Sequence, residues 1–350
     1  MAVLADRIFS YVLPGRAGDL QLAMEQAREA ERMGVAGVFL AERWENKEIA
    51  SGLGALSQVT NRVRLVAGLT HFGTRHPLVL AGMAASLQNL SKGRFTLGFG
   101  RGVPPVFAKL GIPVINNQGM ADYADILRRL WAGGTISYSG PAGNYPAMQF
   151  GRDLTNPPPI ILGAIGPKTL ALAGAHFDGV VLHPFLSVEG VRRSAAIVRD
   201  AAVSAGRSAD AVEIFATVVT VPDSLGADVL ADARDARAVS YFMHREIGKV
   251  LTATNGWDPA PLARLAELNL EHLEFANTDI AESRRQMAMA VSALPAHWLA
   301  DGAATGSVGQ CLERLSQYLD AGVDNVLLHG TAPQQQGDLM AAARKTSLKE

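Results

Sequence analysis

Eight short runs of β-prone, apolar residues constrain this chain more than any other feature. They lie at residues 8–13, 35–41, 63–69, 95–99, 160–164, 179–182, 212–221 and 323–328. Each is nearly continuous in apolar character rather than alternating, the pattern of strands covered on both faces. Helical patterns separate them. Asp19 stands where it can cap a helix with the inner stripe Leu20, Ala23, Met24, Ala27 and Ala30, and Gly34 terminates it. Ser307 can cap another, with Val308, Cys311, Leu312, Leu315 and Leu319 on one face and Gly322 at its end. Cys311 sits on that stripe and reads as packing rather than as a nucleophile. Strands alternating with helices predict a parallel sheet, and eight is the number that closes a (β/α)8 TIM barrel. A doubly wound α/β sheet is the rival. Against it, Gly98, Gly100 and Gly102 lack the third glycine of a dinucleotide loop and do not open the first βαβ unit.

At 350 residues the chain is expected to form one barrel domain, residues 1–350, with two insertions. Residues 133–159 are rich in Gly, Pro, Asn and Ser, with hairpin arms expected at 136–138 and 148–150. Residues 222–306 are mostly helical and fall before the last strand, broken at 255–259. Such insertions build lids and substrate walls or simply pack, and both readings stay open. The 32 Lys and Arg balance 33 Asp and Glu, which gives no global pull toward nucleic acid or an anionic membrane. One cysteine excludes an internal disulfide framework. The chain start has no basic stretch followed by an apolar core, and the longest apolar run, 78–87, is too short to span a bilayer. A soluble cytoplasmic protein is expected.

In a barrel of this kind, residues just past the C-terminal ends of the strands line the site. Those positions hold Glu42, Arg43 and Trp44, then Thr70 and His71, then Gly100, Arg101 and Gly102. They continue with Ile165, Gly166, Pro167 and Lys168, then His183, then His329 and Gly330. No metal is expected: residues 7–14 bring neither His nor carboxylate, and no H-x-H or H-E-x-x-H spacing occurs. Gly163 to Lys168 end a strand and open a helix, with Pro167 suited to the first turn. The free N–H groups there fit a phosphate, which the position at this barrel end favours over the alternative of a tight glycine turn.

Five segments resemble the luciferase-like monooxygenase superfamily, and more closely its coenzyme F420-dependent branch. They are residues 36–44, 62–70 running on to Arg75-His76-Pro77-Leu78, 90–100, 158–168 and 319–326. The Ser91-Lys92-Gly93-Arg94-Phe95 strand entry is the most specific of them, and the likeness is weakest across 222–306. The resemblance implies a flavin or deazaflavin stacked across the strand ends. It implies a bulge in the third strand behind the ring, with a non-proline cis peptide at Gly68–Leu69 and Thr70 next to it. It also implies cofactor contacts from Gly100, Arg101, Gly102 and Val103, and, on the phosphate side, from Ala164, Ile165, Gly166 and Pro167.

Two positions depart from the dehydrogenases of that branch. An Asp-His type of pair is replaced by Glu42-Arg43, and a catalytic Glu by Val103. Hydride transfer between the deazaflavin and a small organic substrate remains the implied reaction, since it needs the cofactor and a well-placed substrate. Glu42, His71 and His183, in that order, are the candidates for the proton step. Glu42 reads equally as an ion-pair partner of Arg43 or Lys47. Trp44 and Arg43 are placed in the substrate pocket, although Trp44 also reads as a packed aromatic. Arg43, Arg75 and Arg101 could meet the acidic tail or phosphate of the coenzyme, or lie at the surface without a ligand. FMN-dependent oxygenation on the same barrel and a non-catalytic cofactor-binding protein are the alternatives. A homodimer is expected on family grounds, with small-residue stretches at 50–59 and 78–87 as its contacts, a pattern that burial inside one subunit explains as well.

Overall fold

The computed structural model describes residues 3–15, 18–44, 46–151, 153–273 and 281–348. The strands are β1 (Ile8–Tyr11), β2 (Gly37–Leu40), β3 (Arg64–Ala67), β4 (Thr70–His71), β5 (Phe95–Gly100), β6 (Ile136–Gly140), β7 (Gly143–Met148), β8 (Ile160–Ala164), β9 (Gly179–Leu182), β10 (Glu213–Pro222), β11 (Ala303–Gly306) and β12 (Asn325–His329). Eight of them, in the order β1-β2-β3-β5-β8-β9-β10-β12, pair in parallel, and β12 returns to β1 to close the ring. The chain is therefore a (β/α)8 barrel.

Local chemistry sets the elements. Asp19 accepts from the N–H groups of Gln21 and Leu22 and starts the helix Leu20–Met33, and Gly34 ends it with φ of 82°. Ser307 and Gln310 form a reciprocal capping box on the helix Val308–Asp320, whose Cys311, Leu312, Leu315 and Tyr318 are buried. The expected run 63–69 divides: β3 stops at Ala67, the Gly68–Leu69 peptide is cis, and β4 resumes beside β5. His329 lies inside β12 rather than after it. β11 was not expected. It pairs with Val219–Pro222, the upper part of β10, which runs past the ring there. The second hairpin arm is β7, which leaves Gln149 and Phe150 outside it. Helices occupy much of 227–301, and one of them ends at Asn255 with Gly256 in the left-handed region. Among the described residues no helix is long and apolar enough to cross a membrane.

The barrel axis is filled in layers. Phe9, Phe39, Val66, Ile161, Val181, Phe215 and Leu327 form the central cluster. Phe9, Phe39 and Phe215 meet edge to face, with centroids 5.1 to 5.8 Å apart. Beneath them Arg64 pairs with Glu213 at 2.7 Å, and its guanidinium covers the Phe9 and Phe215 rings at 5.3 and 5.7 Å. Asn325 donates to the same carboxylate at 2.7 Å. This polar floor closes the N-terminal end, so the open end is the C-terminal one.

Glycines make room for the large rings. A Cβ on Gly37 would run into the Phe9 ring, and one on Gly98 would strike the Ala67 carbonyl oxygen of the neighbouring strand. The second obstacle is backbone and cannot swing aside. Gly98→Ala is expected to destabilise the fold by about 3 kcal/mol through overpacking. Equilibrium urea unfolding checks this, and an unchanged midpoint would refute the packing account.

Candidate active site

The C-terminal mouth is organised around the cis peptide between β3 and β4. The Tyr11 hydroxyl donates to the Gly68 carbonyl at 3.1 Å, and the Glu42 N–H to the Leu69 carbonyl at 3.3 Å. The Leu69 side chain lies where Cβ atoms on Gly98 and Gly163 would sit, so it plugs the top of the barrel core. The exits of β1 and β2 thus hold the bulge from both sides.

The Glu42 carboxylate has no exposed surface. Thr70 Oγ1 donates to it at 2.6 Å, and Arg75 donates to both its oxygens, through Nη2 at 2.5 Å and Nη1 at 3.1 Å. Arg75 reaches on to Glu48 at 2.7 Å, and its own carbonyl accepts from the Tyr123 hydroxyl at 2.6 Å. Arg75, and neither Arg43 nor Lys47, is therefore the ion-pair partner. Lys47 instead donates to the carbonyls of Leu13 and Gly15. The Arg75 charge is committed to two carboxylates, which leaves it poorly suited to a coenzyme anion.

Next to this network stand three rings. Trp44 and Phe107 each lie with centroids 5.4 Å from His71, and 5.8 Å from one another. Trp44 is 40% exposed, so it forms a wall rather than core. Gly102 has φ of 75°, and the Phe107 ring occupies the place of its Cβ, so only glycine fits there. Val103 caps the following helix, Pro104–Lys109, without a side-chain bond.

No protein group among the described residues hydrogen-bonds either nitrogen of His71, and its Nδ1 is buried. Burial lowers its pKa to about 4; nearby Glu42 opposes this, and Arg43 and Arg75 add to it. On the far side of the mouth, burial also holds His183 at about 4, against a contact to the Pro184 carbonyl. That contact, Nδ1 to oxygen at 2.9 Å, requires the proton on Nδ1 and leaves Nε2 as an acceptor. His183 packs on Tyr241 at 4.6 Å, and Tyr11 on His329 at 5.0 Å. His329 Nε2 lies 3.3 Å from Arg237 Nη1 and 3.5 Å from the Tyr241 hydroxyl. Burial, with Arg237 next, drives His329 well below the usual imidazole range. All three imidazoles are neutral at pH 7.

Around the rim, a cavity of about 700 Å³ is lined by Arg101, Asn117, Gly166, Lys168, Thr169 and Val250, among others. The helix Pro167–His176 opens there with Gly166 as its cap and no side chain on its free N–H groups. Arg101 donates to Asn117 and, at 3.3 Å, to Thr169 Oγ1. This end of the barrel can take an anion: a cation and a bare helix start face one recess.

The positions read from the sequence thus share one barrel end, in two groups. Glu42, Arg43, Trp44, Gly68, Leu69, Thr70 and His71 surround the bulge. Gly100, Arg101, Gly102, Val103, Ala164, Ile165, Gly166 and Pro167 lead to the recess, and His183 lies across the mouth. Tyr11, Arg237 and Tyr241 were missed. Period-two alternation upward from the core residues Phe9 and Leu327 points to Tyr11 and His329. Arg237 and Tyr241 lie on a helix after β10 that no sequence pattern ties to the mouth. Among the described residues no three His, Cys, Asp or Glu side chains group to hold a metal.

Residues 7–325 match the family model described as luciferase-like monooxygenase. A curated relative is the 5,10-methylenetetrahydromethanopterin reductase of Methanolobus tindarius, 28% identical over 244 residues, 68% of this chain and 72% of that protein. Another is the F420-dependent glucose-6-phosphate dehydrogenase of Nakamurella multipartita, 24% identical over 343 residues, 92% of this chain and 88% of that one. Among solved structures, the coenzyme F420 dependent tetrahydromethanopterin reductase from Methanopyrus kandleri superposes with a TM-score of 0.79 at 20% identity, covering 99% of both chains.

Two outcomes are expected from this geometry. Glu42→Gln removes one side of a buried bidentate pair and should cost about 3 kcal/mol of stability in denaturant titration; a loss within error would mean the pair holds nothing. The histidines set a pH dependence. Unfolded imidazoles titrate near 6.5, and folded His71 and His183 near 4. As pH falls, the unfolded chain takes up protons first, so stability present above 6.5 is lost progressively toward 4. A His71→Gln/His183→Gln chain should show a shallower fall of its urea midpoint over that range, and a slope equal to wild type would contradict the assignment.

Proposed function

The chain belongs to the luciferase-like monooxygenase family, and from that premise we propose that it is an oxidoreductase moving a hydride between coenzyme F420 and a small organic substrate in the barrel mouth. The observation that carries the reading is the anion recess on the same barrel end as the Gly68–Leu69 bulge. A phosphate fits the bare turn Ala164–Pro167, with Arg101 and Lys168 as cations beside it. Two cations and an open recess suit a cofactor with a phosphate and an acidic tail. The F420-dependent relative that spans 92% of this chain supports the same choice over FMN.

When bound, the deazaflavin supplies a ring carbon that accepts or donates the hydride. The chain does the rest. Gly68, Leu69 and Thr70 would back the ring, and the Gly68 and Leu69 carbonyls are already tied to Tyr11 and to the Glu42 N–H. Gly100, Arg101, Gly102 and Val103 flank it on the way to the phosphate turn. Trp44 and Arg43 wall the substrate side and, with Phe107, exclude water. His71 and His183 handle the proton or the hydrogen bond to substrate: both are neutral, and His183 keeps Nε2 free to accept. Glu42 acts as a positioning residue, because both its oxygens are engaged by Arg75 and Thr70. Using it as an acid or base would break that pair.

Cofactor titration followed by absorption spectra tests this reading. Coenzyme F420 is expected to bind with a spectral shift, and Arg101→Ala to weaken it on the order of tenfold by removing a charge-assisted contact. Tight FMN binding without F420 affinity would replace the proposal with an FMN-dependent oxygenase.

A further inference from the structure

Among the described residues, no acid in the barrel mouth answers the charge of Arg237. It begins the helix Arg237–Phe242 and is 7% exposed. Its Nε donates to the Ala233 carbonyl at 3.3 Å, and its Nη1 faces His329 Nε2 at 3.3 Å. Among the described residues no carboxylate lies within 4.0 Å of it. Its basic neighbours differ: Arg234 pairs with Asp235 at 2.6 Å, and Arg284 with Asp232. A buried cation without a counter-ion is costly, and a ligand that supplies the anion removes the cost.

The surroundings suit such a ligand. Neutral hydrogen-bonding groups collect there: the Tyr241 hydroxyl, Tyr11, and His329, whose buried Nδ1 has no partner. Burial, the largest influence, and Tyr241 push the Tyr11 pKa up and keep the phenol neutral, while Arg43 and Arg237 act on it in the opposite direction, toward negative charge. In the ring order, β12 with His329 lies four strands from β5 with its Arg101 loop, across the mouth. The corner at Arg237 is therefore separate from the recess assigned to the cofactor phosphate.

We infer that the substrate carries a carboxylate, held in the barrel mouth by Arg237 with Tyr241. The inference rests on the reading of this mouth as a hydride-transfer site beside a deazaflavin. One guanidinium without a counter-acid balances one negative charge. Its Nη2 and the second N–H of Nη1 form a planar fork that matches two carboxylate oxygens. The reacting carbon of the substrate then lies toward the barrel axis, between this anchor and the Gly68–Leu69 bulge.

Benzoate against benzamide, and hexanoate against hexanamide, are the probes. They are titrated calorimetrically into the F420-loaded protein. Each acid shares its shape with its amide, so the difference in affinity reads the charge. The wild-type chain is expected to bind at least one acid about tenfold tighter than its amide. Arg237→Met should lose that preference and Arg237→Lys should retain part of it. Equal binding of acids and amides by wild type overturns the inference, as does no detectable binding of either acid at millimolar concentration. A folded Arg237→Met chain that keeps the preference also overturns it. If Arg237→Met does not fold, the wild-type comparison and Arg237→Lys decide. F420 titration without probe tests the redox reading separately: acid preference in a chain that binds no F420 keeps the anion site and removes the deazaflavin.

Discussion

Eight parallel strands closed on themselves leave space on their axis for only every second side chain of each strand. Everything else in this molecule follows from how that space is filled. The central layer is aromatic, with Phe9, Phe39 and Phe215 in mutual edge-to-face contact. Rings of that size fit because facing positions are glycine, such as Gly37 against Phe9. One layer down, Arg64 and Glu213 seal the floor. One layer up, the same parity delivers Tyr11 and His329 into the mouth. Core packing and site chemistry are thus consecutive positions of the same strands, and a shift of register in β1 or β12 would damage both.

The upper layer divides by charge management. Around β2, β4 and Arg75 the charges are paired: Glu42, Glu48 and Arg75 close a network that ties two strand exits to the following loop. Around β9, β10 and β12 the groups are neutral imidazoles and phenols with the buried guanidinium of Arg237. The first half can hold geometry without a ligand. On the inference drawn for Arg237, an anion from the substrate completes the second half. A rigid wall facing an electrostatically unfilled corner is the arrangement expected where a substrate must be oriented against a fixed planar partner.

Much of the barrel was legible because its signals are local. An apolar run bounded by turn residues marks a strand whatever lies elsewhere, and Asp19, Gly34 and Ser307 mark helix ends through bonds to their own neighbours. The turn at 164–167 is local too, since its glycine and its proline are consecutive. β11 escaped because Ala303–Gly306 is short and weakly apolar, and its partner is the far end of a strand some eighty residues earlier. Arg237 and Tyr241 escaped for the same reason. They reach the mouth only because the chain between β10 and β12 folds back over it.

Glu42 shows the limit most directly. A carboxylate just past a barrel strand, next to aromatic and basic residues, is the composition of a catalytic acid. It is equally the composition of a clamp. The two roles differ in one physical quantity, whether the oxygens are free when substrate arrives. That depends on Arg75, thirty-three residues away in the chain. Arg75 is brought in by the turn after β4, and its backbone is fixed by the Tyr123 hydroxyl from a helix after β5. With two donors on one oxygen and one on the other, both oxygens of the carboxylate are engaged and shut off from water in a buried ion pair. In the proposed reaction the proton chemistry therefore falls to imidazoles that burial keeps neutral, and these can exchange hydrogen bonds with a substrate without disturbing the strands that hold them.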